Sequence, residues 1–141
     1  MTPKFRAWLK REKKMVSVVG ISFYQDSFHV EEIFVYDQEN PHKYGDLWEE
    51  PFLPYEFVLM QSTGLKDIND KEIYEGDVII PDGGGASLVH WRDGAFQVGY
   101  YGDIPYVLAD YKSLTVIGNI YENPELVSEF EEEANNERPR D

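Results

Sequence analysis

The sequence contains no cysteine. Disulfides, thiol nucleophiles, thiolate zinc sites and iron–sulfur clusters are therefore excluded together. It contains no Asn-x-Ser/Thr sequon either. Long hydrophobic runs are missing: the longest, Met15–Phe23, carries two serines and falls far short of the ~20 residues a membrane helix needs. Basic residues precede that run, but no small-residue cleavage site follows it, which argues against a signal peptide. A chain without thiols fits a reducing compartment, and we expect a cytoplasmic protein. Histidine is scarce. His29, His42 and His90 are scattered, and no His-Glu-x-x-His pattern brings two ligands to one helix face.

What is present is greasy and acidic. The 141 residues are 42% hydrophobic and 15% aromatic, enough for one ordinary domain or two very small ones with a core that needs no covalent staple. The net charge is −14, unevenly spread. Residues 1–14 hold Lys4, Arg6, Lys10, Arg11, Lys13 and Lys14 against Glu12, a net +5 that leaves −19 for the remainder. Such a body repels phosphate backbones and anionic lipid, so no membrane partner is expected and nucleic acid is disfavoured. The exception is the basic stretch itself. Lys10, Arg11, Lys13 and Lys14, with Phe5 and Trp8 close by, form the candidate nucleic-acid contact of an alternative reading. An acidic surface, such as the Glu-rich 125–133 segment or a second copy, is the competing partner, so self-association that weakens with salt is also expected.

Strand signals dominate. Residues 4–9, 15–23 and 28–36 are rich in β-branched and aromatic residues, and Gln25, Asp26 and Ser27 separate the last two runs. Residues 37–54 contain Asn-Pro, Gly-Asp and two more prolines, a loop signature. Further strands are expected over 56–61, 76–81, 88–92, 95–101 and 113–121, with Asp93-Gly94 as a hairpin turn. Short strands at this spacing indicate a small antiparallel barrel or sandwich. One helix is expected at the end, with Asn123 as N-cap, Pro124 in the first turn and an apolar stripe of Leu126, Phe130 and Ala134.

Motifs for chemistry fail one by one. Asp67, Asn69, Asp70 and Glu72 resemble a calcium loop briefly, but Lys71 takes a ligand position and Glu72 the position that needs glycine. Gly83–Gly85 is followed by neither Lys-Ser/Thr nor a helix, so it reads as a hairpin loop. Carboxylate pairs abound, but 27 acids make neighbours inevitable, and adjacent strand residues face opposite ways. No catalytic, metal or cofactor site is assigned, and no enzyme is expected.

Three stretches together resemble the YopX family of phages and prophages of Gram-positive bacteria. They are KFRAWLKREKKM at 4–15, LMQSTGLKDINDKEIYEGDVI at 59–79 and VIGNIYENPEL at 116–126. The chain departs from the family in the turn, where Asn69-Asp70 stands in place of Asn-Gly. The resemblance implies an SH3-like β-barrel for the C-terminal part and carries no activity or catalytic residues with it. The expected organisation is mainly β: an N-terminal antiparallel β region with a proline-rich loop over 1–55, an SH3-like barrel over 56–122, and an acidic helix and tail over 123–141. Gly64 and Gly76 are expected to serve turns, Thr63 and Asp67 to bond nearby backbone, and Ile73, Tyr74, Val78 and Ile80 to pack. The expected function is that of a phage accessory protein binding a host or phage protein. Lys66, Asp67, Asn69, Lys71, Glu75 and Asp77 of the 66–77 hairpin are the candidate contacts.

Overall fold

The computed structural model describes residues 4–25, 29–35, 51–82, 84–92, 94–99, 106–111 and 113–126. The chain divides into two compact units, Met1–Gln61 and Ser62–Asp141. The fold is mainly β, and every strand pairing is antiparallel.

The first unit is built on β1 (Phe5–Leu9), β2 (Lys14–Phe23), β3 (Val30–Val35) and the first half of β4 (Phe57–Lys66), in the order β3-β2-β1-β4. Leu9 pairs with Lys14, which leaves Lys10–Lys13 as the connecting turn. Lys13 closes it in the left-handed region at φ 54, its N–H donating to the Leu9 carbonyl at 2.8 Å. On the other side of β1, Ala7 pairs with Leu59 and Leu9 with Phe57. The two-residue period buries Ala7 and Leu9 between half-buried Arg6 and Trp8. These join Ile33, Val35, Phe52 and Phe57 in one core, with Val16, Val18 and Ile21 packed against it. Phe52 arrives from outside the strands, exchanging backbone bonds with Ile33 at 2.9 and 3.0 Å. A 3-10 turn, Pro54–Glu56, then leads into β4; Glu56 Oε1 accepts from Leu53 N at 3.1 Å.

In the second unit, residues 62–66 of β4 pair with β5 (Glu72–Tyr74). A five-stranded sheet follows, from β6 (Asp77–Pro81), β7 (Ser87–Arg92), β8 (Ala95–Gly99), β9 (Tyr106–Val107) and β10 (Leu114–Asn119), in the order β10-β6-β7-β8-β9. A 3-10 turn, Leu108–Asp110, separates β9 from β10. Arg92 pairs with Ala95, so the β7–β8 connection has two residues, and Gly94 has φ 81 as an Asp-Gly hairpin requires. Ile73, Ile79, Val89, Val98, Leu108 and Leu114 form the core, with Phe96, Tyr111 and Val116 against it. The pairings leave β9 and β10 unjoined, so among the described residues no closed barrel is found.

The expected strands recur with shifted ends. β4 runs five residues past Gln61, because Ser62–Lys66 gains β5 as a partner. β5 and β9 are too short to leave a periodic signal. Ile80, expected to pack, is 41% exposed, because the alternation that buries Ile79 turns it to the other face. β10 ends at Asn119, whose side chain starts a turn: Oδ1 accepts from Tyr121 N at 3.0 Å and Glu122 N at 2.8 Å. Asn123 Oδ1 accepts from Asn119 N at 3.1 Å, folding the turn back on the strand. Pro124–Leu126 is helical; the rest of the expected helix, including Phe130 and Ala134, lies outside the described residues, as do Tyr36 of the expected third strand and 37–50 of the proline-rich loop. Gly118 is set by close approach: a Cβ there would overlap Asn123 Oδ1 and meet Leu126 Cδ1 at 3.1 Å.

Candidate functional site

The tip of the 66–77 hairpin is organised by the Asp67 carboxylate. The main chain reverses between β4 and β5, with Asp67 N donating to Lys71 O at 2.8 Å and Asp70 N to Asp67 O at 3.0 Å. The Asp67 side chain folds under this turn. Its Oδ1 accepts from Asn69 N at 2.8 Å and Lys71 N at 2.9 Å. Its Oδ2 accepts from Val116 N at 3.0 Å, in β10 and 49 residues along the chain. Ile68 N adds a second tie, donating to Leu114 O at 3.0 Å. Burial pushes the Asp67 carboxyl up, but the bonds from Val116, Lys71 and Asn69, with the Lys71 charge, outweigh it and hold the pKa below 3.8. Asp70 sits in the left-handed region at φ 66, a conformation that Asp tolerates.

The other end of the hairpin is braced in the same way. Asp77 is buried, and its Oδ2 accepts from Tyr74 N at 2.8 Å across the Glu75–Gly76 turn. Gly76 has φ 83; its N–H donates to Val89 O at 2.9 Å and its carbonyl accepts from Ile120 N at 3.0 Å. Upstream, Thr63 Oγ1 donates to Ile73 O at 2.8 Å and accepts from Leu65 N at 3.1 Å. The residues 59–79 and 116–126, distinctive in sequence, are thus the ones that lock the hairpin and β10 together.

The structure places the candidate contacts in two groups. Lys66, Asp67, Asn69 and Lys71 share the hairpin tip, while Glu75 and Asp77 lie beyond β5 at the opposite turn. Asp67 and Asp77 are buried in bonds to backbone; Lys66, Asn69 and Lys71 are exposed, and Glu75 is half-buried. Lys66 Nζ lies 3.5 Å from Asp70 Oδ1. The basic candidates lie elsewhere, in the first unit: Lys10, Arg11 and Lys13 are exposed on the β1–β2 turn and Lys14 is half-buried at the start of β2. Sequence reasoning passed over Ile68, which is 68% exposed at the tip. An apolar residue in a turn of Asp and Asn was the available signal. Beside it lies a cleft of about 160 Å³, lined among others by Leu65, Ile68, Leu108, Tyr111 and Leu114. Among the described residues no group of three His, Asp or Glu side chains is placed to hold a metal ion, and no helix is long and apolar enough to cross a membrane.

The family model described as YopX protein covers residues 4–128, and the chain belongs to the YopX family. Two solved structures are similar to it. Protein EF1440 from Enterococcus faecalis is 29% identical over 90% of this chain and 99% of that one, with a TM-score of 0.61. Protein yopX from Bacillus subtilis is 20% identical over 89% and 96% of the two chains, with a TM-score of 0.58, a likeness of fold. No curated protein matches.

Proposed function

We propose that the chain is a non-catalytic protein-binding module of a phage or prophage, acting in the host cytoplasm through the 66–71 hairpin tip. The observation that carries this reading is Ile68. Its backbone is fixed by Leu114 and by the neighbouring Asp67 carboxylate, while its side chain stands 68% exposed. A β-branched apolar side chain on a fixed backbone has little freedom to lose on binding, so more of its burial appears as affinity. Leu65 is also exposed, and the cleft adjoining both offers a partner side chain a place to insert. Lys66, Asn69 and Lys71 supply a polar rim. The strand order of the second unit, with a 3-10 turn before a last strand that returns beside β6, supports an SH3-like arrangement behind this tip. The test is a pull-down from host lysate, followed by titration of the purified partner. Ile68→Glu should weaken binding at least tenfold in a protein that remains folded. A partner that binds Ile68→Glu and wild type equally would refute the hairpin as its site.

A further inference from the structure

The first unit carries a second surface, of different chemistry. The β1–β2 turn contains Lys10, Arg11, Glu12 and Lys13, and it sorts their charges. The three cations are exposed. Glu12 is half-buried, with its Oε2 shielded from solvent and without a hydrogen-bond partner. No acidic side chain among the described residues pairs with Lys10, Arg11 or Lys13. The turn therefore exposes three cations around one half-buried carboxylate and keeps a net positive charge.

An exposed tyrosine precedes the turn's backbone neighbour. Lys10 N donates to Glu56 O at 3.0 Å, so the residue before Glu56 lies alongside. That residue is Tyr55, 73% exposed on the 3-10 turn that Pro54 begins. The nearest acid in sequence, Glu56, spends Oε1 on Leu53 N. Cations flanking an open ring suit a ligand with regularly spaced phosphates and free base faces. Duplex hides its base faces in the stack, and an acidic peptide has no need of the ring. We propose that the β1–β2 turn and Tyr55 form a binding site for single-stranded nucleic acid, with phosphates on Lys10, Arg11 and Lys13 and a base stacked on Tyr55. The site is independent of the Ile68 hairpin. The net charge of −14 does not forbid it, because at physiological ionic strength charges more than about 8 Å away are largely screened.

The test is fluorescence anisotropy of the full chain with a labelled oligothymidylate. Three neutralised phosphates give a log–log salt slope of about −2 for a single strand, so fourfold more salt should weaken binding about 20-fold. Lys10→Gln/Arg11→Gln/Lys13→Asn should abolish binding at low salt; Asn is chosen at 13 because it accepts the positive φ. Arg11→Gln alone changes only an exposed tip side chain and should still weaken binding severalfold. Tyr55→Ala should weaken it about tenfold and Tyr55→Phe should not, since the ring provides the stacking face. Ile68→Glu should leave binding intact. Absence of binding at both low and physiological salt, or binding indifferent to the triple variant, overturns the proposal. Duplex bound as tightly as single strand, with Tyr55→Ala silent, overturns it too and leaves a bare phosphate surface.

Discussion

Asp67 is the residue whose removal should be felt most for its size. It accepts three backbone bonds of 2.8, 2.9 and 3.0 Å, one of them reaching Val116 in β10. Hydrogen bonds to a charged group contribute about 1.5–3 kcal/mol each when taken singly. They do not add here. Asn69 and Lys71 are exposed, so water replaces their partner in a truncated variant, whereas the half-buried Val116 amide is less easily rehydrated. Asp67→Ala should therefore destabilise by about 3 kcal/mol. Asp67→Asn should destabilise by about 1–2 kcal/mol, because the amide keeps one acceptor but turns a donor toward a second N–H. The carboxyl pKa is lowered by folding, so its contribution is complete above the unfolded value of 3.8 and is lost as pH falls through the lower folded value. The gap between wild type and Asp67→Asn should accordingly be full near neutrality and shrink in acid. Urea unfolding at several pH values measures the gap, and hydrogen exchange at the Val116 and Ile68 amides locates it. If Asp67→Asn stays within about 0.5 kcal/mol of wild type and Val116 exchanges no faster, the carboxylate does not hold the hairpin to β10.

Gly118→Ala should destabilise by about 1–3 kcal/mol, because the new methyl group overlaps Asn123 and presses on Leu126; a thermal midpoint equal to wild type would mean the 119–123 turn shifts freely. At the left-handed Asp70, Asp70→Gly should be neutral within about 0.5 kcal/mol and Asp70→Ala should destabilise by about 1 kcal/mol. Both variants lose the exposed pair with Lys66 equally, so the difference between them in denaturant unfolding isolates the backbone; equal stabilities would contradict a left-handed residue there.

The strands that were legible in the sequence are those whose evidence is local. Phe5–Leu9, Lys14–Phe23 and the Asp93-Gly94 hairpin declare themselves through composition and turn chemistry. Gly76 was readable as a turn glycine and has φ 83; Gly64, also expected in a turn, has φ 79 but lies inside β4, where the pairing register with β5 shifts. What could not be read is non-local. Nothing near Asp67 signals that its second oxygen belongs to Val116, so an acid that looks like a surface contact is buried as a brace. Asn123 illustrates the same limit: its identity suggests a helix cap, yet its side-chain oxygen serves Asn119. Ile68 and Tyr55 went unremarked because hydrophobicity alone does not say which apolar side chains the backbone turns outward.

The two loop-to-strand ties also decide how these sheets meet other chains. Among the described residues β3 and β10 each have one strand neighbour, so each has a flank where a foreign strand could find unpaired amides and carbonyls. In the first unit Phe52 occupies that flank at Ile33 with two backbone bonds. In the second, Ile68 takes the Leu114 carbonyl and Asp67 takes the Val116 amide. The Asp67 loop is thus a plug as well as a hairpin. At Leu114 and Val116 the β10 edge is already occupied, so strand addition there requires the loop to move. Removing the carboxylate, as in Asp67→Ala, takes away one of the two ties and should raise the tendency of the β10 edge to aggregate.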